Sequence, residues 1–135
     1  MQEKTLPAVI ESIPQVIDWV DEALEKLDCP MKAQMQIDVA VDEIFANIAN
    51  YAYPDQEGTA TVRLDFEEET RTLSIIFIDQ GQPFDPLNKE DPDVSLNAEE
   101  RAIGGLGIFL VKKTMDDMVY HYMDGQNVLK IRKKL

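Results

Sequence analysis

The chain has 135 residues, 44% hydrophobic and 29% charged, which suits one domain with a real core and is too short for two ordinary ones. Its formal net charge of −13 argues against a general nucleic-acid binder, because a phosphate backbone would be repelled; a nucleotide site remains compatible if a divalent cation and backbone N–H groups neutralise it. The single cysteine, Cys29, excludes an intramolecular disulfide, and the absence of a membrane-length apolar run or a signal pattern makes the cytoplasm, with no membrane contact, the expected setting.

Lys4 to Ile10 reads as a first strand, and Pro7 suits an edge position because proline cannot donate to a ladder. Ser12-Ile13-Pro14-Gln15 has the form of a capping box. Behind it Val16, Ile17, Val20, Ala23, Leu24 and Leu27 recur at helical spacing, with Trp19 expected at the rim of the core. Asp28-Cys29-Pro30 breaks and restarts the helix, and Cys29 reads as a small filler beside the proline.

A second helix is predicted from about Met31 to Tyr53, stopped at Pro54. Ile37, Val41, Ile44 and Ile48 form its buried stripe. Glu43, Asn47 and Asn50, at i, i+4 and i+7, line up on another side. A carboxylate and two amides in one row suit a polar ligand pocket, although an ordinary amphipathic helix with a wet outer face gives the same spacing.

Thr59 to Phe66 alternates, with Val62, Leu64 and Phe66 inward, and Leu73 to Ile78 is a nearly continuous apolar run expected of a central strand. The two most simply form an antiparallel hairpin. From Gln80 to about Ile103 no period survives, and Pro83, Pro86 and Pro92 interrupt the stretch. So long a connection reads as an active-site lid, with disorder as the alternative. Gly104-Gly105-Leu106-Gly107 then opens a third helix whose buried residues are expected to be Ile108, Leu110, Val111 and Met115. Met118 to Met123 and Asn127 to Arg132 flank an Asp124-Gly125 turn as a second hairpin, with His121 on a sheet face. The order favours an α+β fold: a two-layer α/β sandwich with a mixed, mostly antiparallel sheet covered on one face by three helices.

Three pieces carry candidate chemistry. The glycine-rich helix start offers free N–H groups and the positive end of a helix dipole to phosphate. Asp79, at the end of the central strand, can accept a hydrogen bond from an exocyclic amine such as that of adenine, and Gly81 removes bulk where a flat ring would lie; a strand-end Asp capping a turn is the plainer reading. Asn47 offers an amide oxygen to Mg²⁺, which keeps several waters and binds few protein oxygens. Glu43, one turn earlier, would sit near the metal-bound phosphate and accept a proton from an attacking hydroxyl or water.

In order and spacing, Glu43-x-x-x-Asn47, Asp79-x-Gly81 and Gly105-Leu106-Gly107 resemble the N box, G1 box and G2 box of the GHKL (histidine-kinase-like) ATP-binding superfamily. Within it the chain looks like the anti-sigma factor serine-protein kinases of the RsbW type, through the run DEIFANIANYAY and the stretch Gly107-Ile108-Phe109-Leu110-Val111-Lys112-Lys113. The resemblance implies a left-handed βαβ sandwich of the Bergerat type forming one ATP-binding domain over residues 1–135, with a lid at about 80–103. It implies ATP and Mg²⁺ as cofactors and Glu43 as the catalytic base toward a partner serine. Asn47 would hold the metal; Asn50, Asp79, Gly81, Arg101, Gly104, Gly105, Leu106 and Gly107 would complete the nucleotide site, Arg101 as the candidate to reach the terminal phosphate. Near Asn127-Val128 this chain replaces a Thr that helps such relatives hold adenine. The implied partners are a small antagonist protein of the anti-anti-sigma kind, a sigma factor and a second copy of the chain. The alternative is an ATP-binding regulatory module that sequesters a partner without phosphorylating it.

Overall fold

The structure, a computed structural model, describes residues 2–88 and 105–135. Strand β1 (Gln2–Pro7) is followed by α1 (Ile13–Lys26), α2 (Met31–Tyr51), β2 (Thr59–Glu67), β3 (Thr72–Asp79), α3 (Gly105–Thr114), β4 (Asp117–Met123) and β5 (Gln126–Lys134). The strands form one sheet in the order β1-β2-β3-β5-β4, with β3 at its centre and β1 at an edge, as the apolar run and Pro7 suggested. The two-layer α/β sandwich is the expected one. Its sheet is simpler than the mixed form anticipated, since every pairing among the described residues is antiparallel.

Alternation along the strands sets the core. Val62 and Leu64 of β2, Leu73, Ile75 and Phe77 of β3, and Leu129 and Ile131 of β5 are all buried on one face. Register aligns them in rows: Val62 opposite Phe77, and Phe77 opposite Leu129. Against this face lies α2, through Ile37, Val41, Ile44, Phe45 and Ile48, with α1 and α3 packed on its two sides. The α1 stripe of Val16, Val20, Ala23 and Leu24 is buried, and Ile17, Trp19 and Leu27 pack partly against the core. Ile76 and Ile78, in the same apolar run, point the other way and stay half-buried on a sheet face that no described helix covers.

Several local expectations change. The first strand covers Gln2–Pro7, and Ile10 belongs to a short 3-10 turn, Ile10–Ser12. That turn leaves Ser12 at φ −79°, ψ −16°, with no side-chain cap bond. A capping serine needs extended backbone to aim its hydroxyl back at the first turn, so the capping box does not form. Helix α2 ends at Tyr51, not Tyr53; the Tyr53 hydroxyl instead donates to the Thr59 carbonyl (2.7 Å) and accepts from the Gln80 amide (2.8 Å), tying the helix exit to the β3 end. Leu110 is 43% exposed, whereas Ile108, Val111 and Met115 are buried. Their spacing keeps one helix face inward and turns Leu110 to the opposite side.

Other expectations hold. Asp28, at φ 53°, is the left-handed residue that ends α1. Asp124 and Gly125, both with positive φ, make the tight turn of the β4–β5 hairpin. Cys29 is a half-buried free thiol, and burial pushes its pKa up, which lowers its reactivity. His121 stands on the uncovered sheet face. No helix among the described residues is long and apolar enough to cross a membrane. Most of the expected lid, with Arg101 and Gly104, lies outside the described residues.

Candidate functional site

The end of β3 follows the strand's own alternation. Leu73, Ile75, Phe77 and Asp79 face the helices in turn, so the last inward position carries a carboxylate that is only 5% exposed. Register sets Asp79 between Ala60 on β2 and Asn127 on β5. Asp79 Oδ1 accepts from the Gly81 amide (2.9 Å) and from Asn127 Nδ2 (2.9 Å). Burial pushes the Asp79 pKa up, and these two donors partly oppose the shift.

Asp79 opens into a cleft lined by Ile44, Asn47, Ile48 and Ala52 from α2, Phe77 from β3 and Ile108 from α3. Tyr120, Asn127 and Leu129 line it from the β4–β5 hairpin, and Phe84 and Pro86 from the segment after β3. The walls are mostly apolar, with a few convergent polar groups, as small-molecule sites usually are. The cleft encloses about 400 Å³ of empty space including its open side.

The α2 row divides. Asn47 lines the cleft, whereas Asn50 is exposed and is not part of the lining. Glu43 is half-buried, and its carboxylate packs so tightly on Gly107 that a methyl group there would overlap Oε2. Burial, and then the negative charge of Asp42, push the Glu43 pKa up. Gly105 and Leu106 form the first turn of α3, where backbone N–H groups have no intrahelical partner. Gly81 has a packing role beyond the one expected: a side chain there would strike the Ala52 backbone carbonyl, to which the next amide, Gln82, donates at 2.9 Å. Asn47 and Asp79 therefore line one cleft together with Ile108 of α3, the residue after Gly107, while Glu43 and Gly81 are outside its lining.

Sequence reasoning missed Tyr120 and Phe84 as site residues, and it marked Asn127-Val128 only as the place of a replaced Thr, not as a bond to Asp79. Asn127 Nδ2 donates to Asp79 Oδ1 and to the Gln82 carbonyl (2.8 Å), while Asn127 Oδ1 accepts from the Phe84 amide (3.2 Å) and the Tyr120 hydroxyl. Phe84 also stacks on Tyr51 with ring centroids 5.3 Å apart. A signal for Asn127 was available: it is in phase with the inward Leu129 and Ile131 and is the one buried polar member of that row. Among the described residues no group of three or more His, Cys, Asp or Glu side chains suits a metal ion. A cation held by one amide oxygen, waters and phosphates requires no such cluster.

The family described as "Histidine kinase-like ATPase domain" matches residues 6–133. The serine-protein kinase RsbW of Listeria monocytogenes is 33% identical over 96 residues, covering 67% of this chain and 60% of that protein. The serine-protein kinase RsbW of Bacillus cereus is 32% identical over 95 residues, covering 67% and 58%. The chain thus spans about 60% of the length of the curated relatives it matches. Among solved structures, the histidine kinase domain from the Erythrobacter litoralis EL346 blue-light activated histidine kinase superposes with a TM-score of 0.61 at 15% identity, over 91% of this chain and 61% of that one, a likeness of fold alone. With a family match over nearly its full length, and with Asn47 and Asp79 facing one cleft, the chain belongs to the histidine kinase-like ATPase domain family, and so to the GHKL superfamily.

Proposed function

We propose that this protein binds ATP with Mg²⁺ in the cleft and transfers the terminal phosphoryl group to a serine of a small antagonist protein, in a circuit where it also holds a sigma factor. The meeting of Asn47 and Asp79 in one cleft, next to Ile108 just inside α3, carries this reading. Its support from relatives is the similarity to proteins named serine-protein kinase. The residues suit the ligand. A buried carboxylate in an apolar cleft matches an amino-bearing base, and the first turn of α3 matches phosphate oxygens. Mg²⁺, when bound, would supply charge neutralisation on those oxygens, with Asn47 as its protein ligand.

In the transfer, the serine oxygen forms a bond to the terminal phosphorus, the bond from that phosphorus to the bridging oxygen breaks, and ADP leaves with the electron pair. The serine proton passes to the Glu43 carboxylate. A carboxyl with a raised pKa is a stronger base than an ordinary one, and Glu43's shift is in that direction. The test is phosphate transfer from Mg·ATP to a cognate antagonist. Glu43→Ala should lower the rate by about 10²–10⁴-fold with nucleotide affinity retained. The wild-type rate should rise with pH as Glu43 ionises. Undiminished transfer by Glu43→Ala would remove it from the chemistry.

One observation favours a second reading, an ATP-binding module that sequesters a partner without phosphorylating it. Glu43 packs on Gly107 and does not line the cleft. Partner binding that persists with a non-hydrolysable ATP analogue, with no phosphoserine formed, would favour the module.

We also propose that the chain pairs with a second copy through the uncovered sheet face. Ile76, Ile78, Val119 and Val128 lie there among Glu3, Asp117, Arg63 and Arg132. Glu3 pairs with Arg63 and Asp117 with Arg132 within the chain, and a two-fold axis would bury the apolar residues between these pairs.

A further inference from the structure

Asn127 is 5% exposed, and its side-chain amide makes every hydrogen bond such a group can make. Both N–H bonds are used, on Asp79 and on the Gln82 carbonyl, and both lone pairs of Oδ1 are used, by the Phe84 amide and the Tyr120 hydroxyl. Nothing remains to offer a ligand, although Asn127 lines the cleft. Asp79 Oδ1 is similarly filled, by Gly81 and Asn127. Among the described residues Asp79 Oδ2 has no partner.

We infer that Asn127 is a positioning and specificity residue: by fixing Asp79 from within the protein it leaves one carboxylate oxygen to the ligand, and so selects a base that presents an exocyclic amine over one that presents a carbonyl there. This rests on the nucleotide reading above and deepens it. The same amide ties residues 82–84, the rim of the cleft, to β5. Because Asn127 donates to the ionised form of Asp79 against the effect of burial, its removal favours a protonated Asp79, which is a hydrogen-bond donor and no longer discriminates against a carbonyl. The titratable groups nearest Asp79 are the phenols of Tyr53 and Tyr120, with the Asp85 carboxylate beyond Tyr120; among the described residues no cation faces it.

The experiment compares binding of Mg·ATP and Mg·ITP, the latter carrying a carbonyl in place of the amine, by calorimetry from mildly acidic to mildly basic pH. Wild-type protein should prefer ATP by at least about tenfold. Asn127→Leu should bind ATP more weakly and lose most of that preference, with the acid limb of ATP binding moved to higher pH. Tyr120→Phe, which removes only the hydroxyl that orients Asn127, should move both quantities the same way by less and serves if Asn127→Leu melts too low to assay. Weaker ATP binding in the variants with an unchanged ATP/ITP ratio and pH profile would reduce Asn127 to a packing role and overturn the inference. Failure of the wild type to bind ATP at all would instead overturn the nucleotide reading, and this inference with it.

Discussion

Gly81 and Gly107 are both too crowded for a side chain, and they should fail in different ways. At Gly81 the obstacle is the Ala52 backbone, which cannot move without disturbing the α2 exit. Gly81→Ala should therefore cost about 1–3 kcal/mol and lower the melting temperature. At Gly107 the obstacle is the far end of the flexible Glu43 side chain. Gly107→Ala should melt close to wild type but push the carboxylate aside, so its phosphotransfer falls while its stability holds. Thermal melts and transfer rates on the two variants separate the cases. A large loss of stability in Gly107→Ala would mean that Glu43 cannot yield. Gly81 was legible as a glycine before a pocket, but the backbone that excludes its side chain was not, since Ala52 is far away in sequence.

The α1–α2 interface carries an electrostatic tension of its own. Asp21 on α1 and Asp38 on α2 each hold an Oδ1 that is buried with no hydrogen-bond partner. Asp38 is pushed up to about 7, first by burial and then by its hydrogen bond to, and charge repulsion from, Asp21. A carboxyl whose pKa is raised by folding binds its proton more tightly in the folded state. Its contribution to stability is therefore complete below the unfolded value of 3.8 and is lost as pH rises from there through about 7. Asp38→Asn, which stays neutral, should be more stable than wild type above neutral pH, and the gap should close in acid. Denaturant melts across pH check this, and parallel curves would show that the pair does not couple to folding. Helical periodicity placed both aspartates on α1 and α2, but not against each other; that required the crossing of the two helices.

For the whole molecule, the unresolved pattern in the sequence was β3. The nearly continuous apolar run marked a central strand, yet with helices on one face only, its Ile76 and Ile78 stay half-buried on the other. The proposed pairing with a second copy would account for the apolar character of the uncovered side. Ile78 sits on the central strand between Thr61 and Val128. Ile78→Lys should give a folded monomer by sedimentation where the wild type sediments as a dimer, because a two-fold contact brings the two introduced charges together. A wild type that sediments as a monomer would end this proposal while leaving the nucleotide site untouched.

Local patterns in the chain were enough to give the elements and the family. Hydrophobic period fixed the stripes of α1 and α2, alternation fixed β2, and Glu43-x-x-x-Asn47, Asp79-x-Gly81 and Gly105-Leu106-Gly107 carried the resemblance that the family match bears out. These are local patterns, readable because each depends on spacing within one segment. Only the tertiary structure decided that Asn127 faces Asp79, that Asn50 stays in solvent while Asn47 enters the cleft, and that Glu43 meets Gly107. Strand register and helix packing make those contacts between residues far apart in the chain, and no spacing within a single segment encodes them.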